Sequence, residues 1–198
     1  MTYWFDLMKM TVADPRAGAE QLLEIKMTRQ AVWSLLAVVV ALSVISAWML
    51  NGMLPDTQQA EVVGMRFTSS PLMFALVMWG LLVLTVFATH YVGRMFGGEG
   101  HFNDSLKMVT WLQAILLVAQ IGQLVVAVVS TAVAAFVGLA VGLYSIWIFV
   151  TFIAVLHSFA NRLMVLVAMF GVMIGLIFGL SLIAGLIATL FGVELPNA

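Results

Sequence analysis

Three histidines, His90, His101 and His157, are the side chains of this chain whose unperturbed pKa lies near neutrality, so general acid–base chemistry would have to start from them. Their spacing gives it little to build on. His90 stands four residues before Arg94 and His157 four before Asn161, so each pair shares a helix face and reads as an interfacial hydrogen-bonding group. The neighbours His157 and Ser158 point to different faces and make no nucleophile–base pair. Asp56 and Glu61 fall in a different loop from Glu99 and Asp104, across the membrane in the topology reached below, so they form no common metal site. Gly97, Gly98 and Gly100 superficially resemble a phosphate-cradling loop, but the lysine and hydroxyl that give such a loop its mechanism are missing. With no cysteine, thiolate catalysis, disulfides and cysteine metal sites are excluded. The expectation is a protein with no catalytic residue, no cofactor and no metal site.

Polar groups at membrane depth are scarce. Gln113 and Gln120 are seven residues apart and share a helix face, with Gln123 within roughly 80° of it. Neutral amides in lipid seek partners on other helices, so these three read first as interhelical contacts. The alternative, a polar path for a lipid or small solute, needs facing groups, and other spans offer only hydroxyls such as Ser43, Ser46, Thr85 and Thr151. No Asp, Glu, Lys or Arg sits near the middle of any span, where ion-coupled transporters hold an ionisable group. Small residues four apart recur at Gly138 and Gly142, and at Gly171, Gly175 and Gly179 with Ser181 and Gly185 beyond. Such rows let another helix backbone approach, within the bundle, in a homo-oligomer or on a membrane-protein partner.

The elements that must position these residues follow from composition. Hydrophobic residues make up 64% of the chain and charged ones 9%, far beyond a soluble domain, so the solvent is a bilayer. A net charge of −1 without a polybasic block argues against nucleic acid as a partner. The first apolar run begins about thirty residues in, follows mixed charge and is too long for a signal peptide. Residues 1–30 read as an amino-terminal segment at the cytoplasmic interface. Its start mixes aromatics with Asp6 and Lys9, and Asp14 and Pro15 open an amphipathic helix that buries Ala19, Leu22, Leu23 and Met27.

Residues 31–198 form the membrane domain, all-α, with five spans in one bundle at about 31–50, 72–92, 107–129, 134–157 and 163–191. The uncharged run from 109 to 156 is more than twice a span's length and must fold back near 130–135. Segment 51–70 is an external loop. Five spans place Lys9, Arg16, Lys26, Arg29, Arg94, Lys107 and Arg162 on one side and Arg66 on the other, seven of the eight basic residues against one. By the positive-inside rule the amino terminus is cytoplasmic and the carboxyl terminus lies opposite.

The polar segment 93–107, GRMFGGEGHFNDSLK, interrupts the apolar sequence on that cytoplasmic side. Asn103 or Asp104 is expected to cap span three, with Arg94 and Lys107 reaching Glu99, Asp104 or lipid phosphates. Together with His157, Asn161 and Arg162, the residues Arg94, Gly97, Gly98, Glu99, His101, Asp104 and Lys107 make a candidate interaction face.

Three stretches, DPRAGAEQLL at 14–23, VGRMFGGEGHFNDSLKMV at 92–109 and LHSFANRLMVL at 156–166, occur in an order between five spans that resembles the Yip domain family of membrane proteins, named for interaction with Ypt/Rab GTPases. The middle stretch is similar to the family's glycine-rich loop entering span three. In the last, Arg162 matches the family's basic residue and Leu163 stands where alanine is usual. The resemblance implies a five-span protein of the bacterial inner membrane with no enzymatic activity and no cofactor. The long amino-terminal region of eukaryotic members is missing, so binding to a Rab-type GTPase is not expected. The function expected is a non-enzymatic scaffold or adaptor whose partners are membrane lipids and a membrane protein or second copy. A lipid-handling or small-solute transport protein, and an accessory subunit of a larger membrane complex, are the alternatives.

Overall fold

In the computed structural model of the chain, the described residues are 2–53, 61–62, 65–66 and 70–191. Most of the loop expected at 51–70, Asp56 included, lies outside them. Seven helices follow in order: α1 (Thr2–Ala13), α2 (Pro15–Glu24), α3 (Arg29–Gly52), α4 (Pro71–Met95), α5 (Phe102–Val129), α6 (Thr131–Leu156) and α7 (Arg162–Phe191). Between α3 and α4 two-residue strands β1 (Glu61–Val62) and β2 (Met65–Arg66) pair antiparallel, Glu61 opposite Arg66. Among the described residues the architecture is all-α apart from that ladder.

Local chemistry sets the helix boundaries. The Asp14 carboxylate accepts from the backbone N–H of Arg16 and Ala17 at 3.0 and 3.2 Å, with Pro15 in the first helical position, so α2 starts where the free amides are satisfied. Ser70 and Pro71 repeat the device at α4, Ser70 Oγ accepting from Met73 N–H at 3.3 Å. The fold-back between α5 and α6 takes one residue. Ser130 closes α5 by donating its N–H to Val126 and opens α6 by accepting from Val133 N–H at 3.3 Å. Five helices, Arg29–Gly52, Pro71–Met95, Phe102–Val129, Thr131–Leu156 and Arg162–Ile183, are long and apolar enough to cross a membrane.

Met1–Ala160 and Asn161–Ala198 are two compact units. In the first, Val32, Leu36, Val40 and Val44 of α3 pack with Val86 of α4 and with Leu106 and Val109 of α5. A second core joins Leu7 of α1 and Ala19 and Leu22 of α2 to Met108, Trp111 and Ile115 of α5 and Ile148, Phe152 and Leu156 of α6. Gln113 donates to Ser43 Oγ at 3.2 Å, tying α5 to α3, and Gln123 donates to the Ala134 carbonyl at 2.9 Å, tying α5 to α6. Gly138 makes room for that second amide, since a Cβ there would overlap Gln123 Nε2. Gln120 keeps a buried Oε1 without a hydrogen bond among the described residues. The described element of the second unit is α7, its first turn capped by Asn161 Oδ1, which accepts from Leu163 and Met164 N–H at 2.9 and 3.3 Å.

Candidate functional site

The loop between α4 and α5 is built from two helix ends. α4 closes in a Schellman turn: Gly97 N–H bonds Arg94 O at 3.0 Å, Gly98 N–H bonds Gly93 O at 2.9 Å, and Gly97 takes the left-handed φ of 85° that this turn requires. α6 closes the same way. Ser158 N–H bonds Val155 O at 3.2 Å and Phe159 N–H bonds Ala154 O at 2.8 Å. Here the left-handed position, φ 57°, falls to a serine, which lacks glycine's freedom to adopt it.

The second turn presents His157 to the first. Its ring is 2% exposed and fills a space walled by Gly93, Gly98 and Gly100, at each of which a Cβ would collide with the imidazole. Gly100 N–H donates to His157 Nδ1 at 3.2 Å, which makes Nδ1 an acceptor and leaves the ring proton on Nε2. Nε2–H donates to the Thr89 carbonyl inside α4 at 2.9 Å. Gly93 lies one helical turn beyond Thr89, and its bare Cα opens the path to that carbonyl. Burial pushes the imidazole pKa below its ordinary 6.5; the Thr89 bond works against the shift, and the charge of His90 adds to it. Neutral His157 is thus a strut between α4, the loop and α6.

A second brace joins α5 to the amino-terminal helices. The side chain of Lys107 is 4% exposed, and Nζ reaches the carbonyls of Leu23 and Ile25, each at 3.2 Å, and Asp104 Oδ1 at 2.8 Å. An ammonium at the carbonyl end of α2 meets the negative pole of that helix, and Asp104 neutralises it. Asn103 Nδ2 donates to the Met27 carbonyl at 3.1 Å. The expected cap of α5 is therefore not a cap. The helix starts at Phe102, His101 holds the N-cap position without a side-chain bond, and Asn103 and Asp104 lie inside the first turn with other partners.

The predicted face is divided by this geometry. His157, Gly98 and Lys107 turn inward as braces, and Asp104 is partly covered by Lys107. Arg94, Gly97, Glu99 and His101 are exposed, with His101 Nδ1 3.8 Å from Asp104 Oδ2. Asn161 and Arg162 belong to the start of α7. Sequence reasoning named His157 and the glycines separately and missed Gly93 and Gly100 as its walls and Thr89 as its acceptor. The available signal was four glycines within the eight residues 93–100 and a histidine at the end of a later span. Among the described residues no group of three or more His, Asp or Glu is placed to hold a metal ion. A Cβ at Gly142, Gly171, Gly175, Gly179 or Gly185 would meet nothing within 4 Å.

Five long apolar helices, with charged residues confined to their ends, define an integral membrane protein of the five-span class. The chain belongs to the Yip1 domain family, whose profile matches residues 10–192. No curated protein and no solved structure matches the chain significantly.

Proposed function

We propose that this Yip1 domain protein is a non-enzymatic membrane scaffold that offers the rim of the α4–α5 loop, Arg94, Glu99 and His101, to a membrane-protein partner. The observation that carries this reading is the double bracing of the loop. His157 on one side and Lys107 on the other hold a rigid turn whose outer side chains, Arg94, Glu99 and His101, are exposed, His101 standing 3.8 Å from Asp104. A rigid, charged, exposed turn is what a docking surface needs, because little ordering entropy is lost on binding. The placement of basic residues supports a cytoplasmic location for this rim and the amino terminus, in the inner membrane of a bacterium, with the carboxyl terminus opposite. The open glycine row of α7 supports contact with a second copy or another membrane helix.

The test is affinity purification in mild detergent from cells carrying either the wild type or an Arg94→Ala/Glu99→Ala/His101→Ala variant. Loss of specific partners from the variant, with unchanged yield and monodispersity, is the expected result. An identical set of partners removes the loop from the function. The transport alternative retains one observation, the unpaired Oε1 of Gln120, since Gln113 and Gln123 are already engaged between helices.

A further inference from the structure

The first two helices pack against α5 and α6 well in from the ends of those spans. Thr11 of α1 is fully buried; its hydroxyl donates to Leu7 O at 2.7 Å and accepts from Trp111 Nε1 at 3.1 Å. Gly18 of α2 lies directly against Thr11, where a Cβ would overlap it, so α1 and α2 form a closely packed hairpin about the Asp14 turn. Just before the turn, the Val12 carbonyl accepts from Tyr144 OH of α6 at 2.6 Å. At its other end, α2 is held by Lys107 near the start of α5.

These contacts give the hairpin a direction and a depth. Trp111 is nine residues into α5 and Tyr144 twelve residues before the end of α6, or about 14 and 18 Å along the two spans. α5 and α6, of 28 and 26 residues, exceed a hydrocarbon thickness of about 30 Å by only a few ångströms at each end. The tip therefore lies roughly 8–13 Å below the level at which a flat bilayer would begin. Yet Asp14 and Arg16 are exposed at the tip, with Lys9 and Glu20 exposed about 8 and 9 Å back along the two helices, Arg16 and Glu20 pairing with each other at 2.9 Å. Charged groups facing hydrocarbon at that depth are strongly disfavoured. Raising the protein until the tip reaches water leaves Thr131–Tyr144, fourteen residues or about 20 Å, to span the core, and exposes Ile146 and Trp147 to water.

We propose that α1 and α2 form a re-entrant helical hairpin whose charged outer face draws water and lipid headgroups down beside α5 and α6, indenting one leaflet of the bilayer on that flank only. Lys9 and Arg16 are the phosphate-binding groups of the indentation, and Ile146 and Trp147, at the same level on α6, stay in contact with acyl chains. The proposal is independent of the scaffold reading, because it concerns the lipid around the protein and not a protein partner.

The absence of cysteine makes site-specific labelling direct. Ala13→Cys at the tip and Ile146→Cys on α6, both exposed positions, are spin-labelled in phosphatidylcholine/phosphatidylglycerol nanodiscs and probed with oxygen and with a water-soluble nickel chelate. The label at 13 is expected to be relaxed mainly by the chelate and the label at 146 mainly by oxygen, an order-of-magnitude reversal of the ratio at one depth. Oxygen dominating at both positions overturns the proposal, as does the chelate dominating at both. The doubly labelled protein gives the distance from tip to α6. A short, narrow distribution supports docking, and a long or broad one means the hairpin has left α6 and also overturns the proposal. Val12→Cys and Leu143→Cys, also exposed, provide a second pair if either first variant fails to fold.

Discussion

His157 Nε2 lies 2.9 Å from the carbonyl oxygen of Thr89, so a side chain at the end of one span is bonded to the backbone inside another. The approach is open only because Gly93 has no side chain. Substituting Gly93→Ala or Gly98→Ala should force the ring or the loop to shift, costing about 1–3 kcal/mol as other overpacked sites do. Gly80→Ala and Gly122→Ala, where a Cβ meets nothing within 4 Å, serve as controls and should be neutral or slightly stabilising. Thermal unfolding in detergent separates the two pairs.

Gly97 isolates conformation from space. A Cβ there meets no neighbour, but φ is 85°, so Gly97→Ala should cost about 1–2 kcal/mol through the left-handed backbone alone. Gly97→Asn should recover part of that loss, because asparagine tolerates this region better. A melting series of glycine, asparagine and alanine at position 97 checks the order.

Acid should loosen the α4–α6 connection. His157 has its pKa lowered below 6.5 in the folded protein, so between the two values the unfolded chain binds the extra proton. Stability is therefore fully present above about 6.5 and declines as pH falls through that value towards the lower folded pKa. Protonating Nδ1 also places two donors, Gly100 N–H and the new ring N–H, against each other. Melting temperature against pH should fall in this window, and the His157→Asn variant, less stable throughout, should lose that part of the slope.

Lys107→Met removes the ammonium from the carbonyl end of α2 and leaves Asp104 with only His101 beside it, at 3.8 Å. A loss on the order of 2–3 kcal/mol is expected. Hydrogen exchange should show it first as faster exchange in 15–28, because that is the segment Lys107 and Asn103 hold. Equal loss of protection across α3 would contradict the assignment of Lys107 to the hairpin.

Gln113→Leu should cost little, about 0.6 kcal/mol and not above about 1.7, because an interhelical amide bond in lipid competes with other partners. The Ser43 hydroxyl it leaves can turn back to its own helix. Melting of the Gln113→Leu, Ser43→Ala and double variants gives the coupling directly.

The five spans and the capped start at Asp14 were legible because they depend on local composition and nearest neighbours. The fold-back at Ser130 was legible because the apolar run from 109 to 156 is too long for one crossing. The site was legible only in pieces. That His157 enters the glycines of the α4–α5 loop depends on how α4 and α6 are rotated about their axes, and no periodicity records that rotation in helices apolar on nearly every side. Lys107 read as an interfacial cation because its burial depends on the carbonyl end of α2, more than eighty residues earlier. Asn103 and Asp104 read as caps because their residue types favour it, but tertiary partners at Met27 and Lys107 took both.

The bond from Trp111 to Thr11 joins residues one hundred positions apart, and that from Tyr144 to Val12 joins residues 132 apart. During synthesis α1 and α2 leave the ribosome before α5 and α6, yet the surfaces that hold them belong to the third and fourth spans. Until α5 and α6 have been inserted, the hairpin is held by contacts within itself, Gly18 against Thr11 and the Gln21 amide on the Tyr3 hydroxyl among them. Its docking therefore reports that the first four spans are in place, and a chain stalled after α4 carries an undocked, aromatic-rich amino terminus open to quality control.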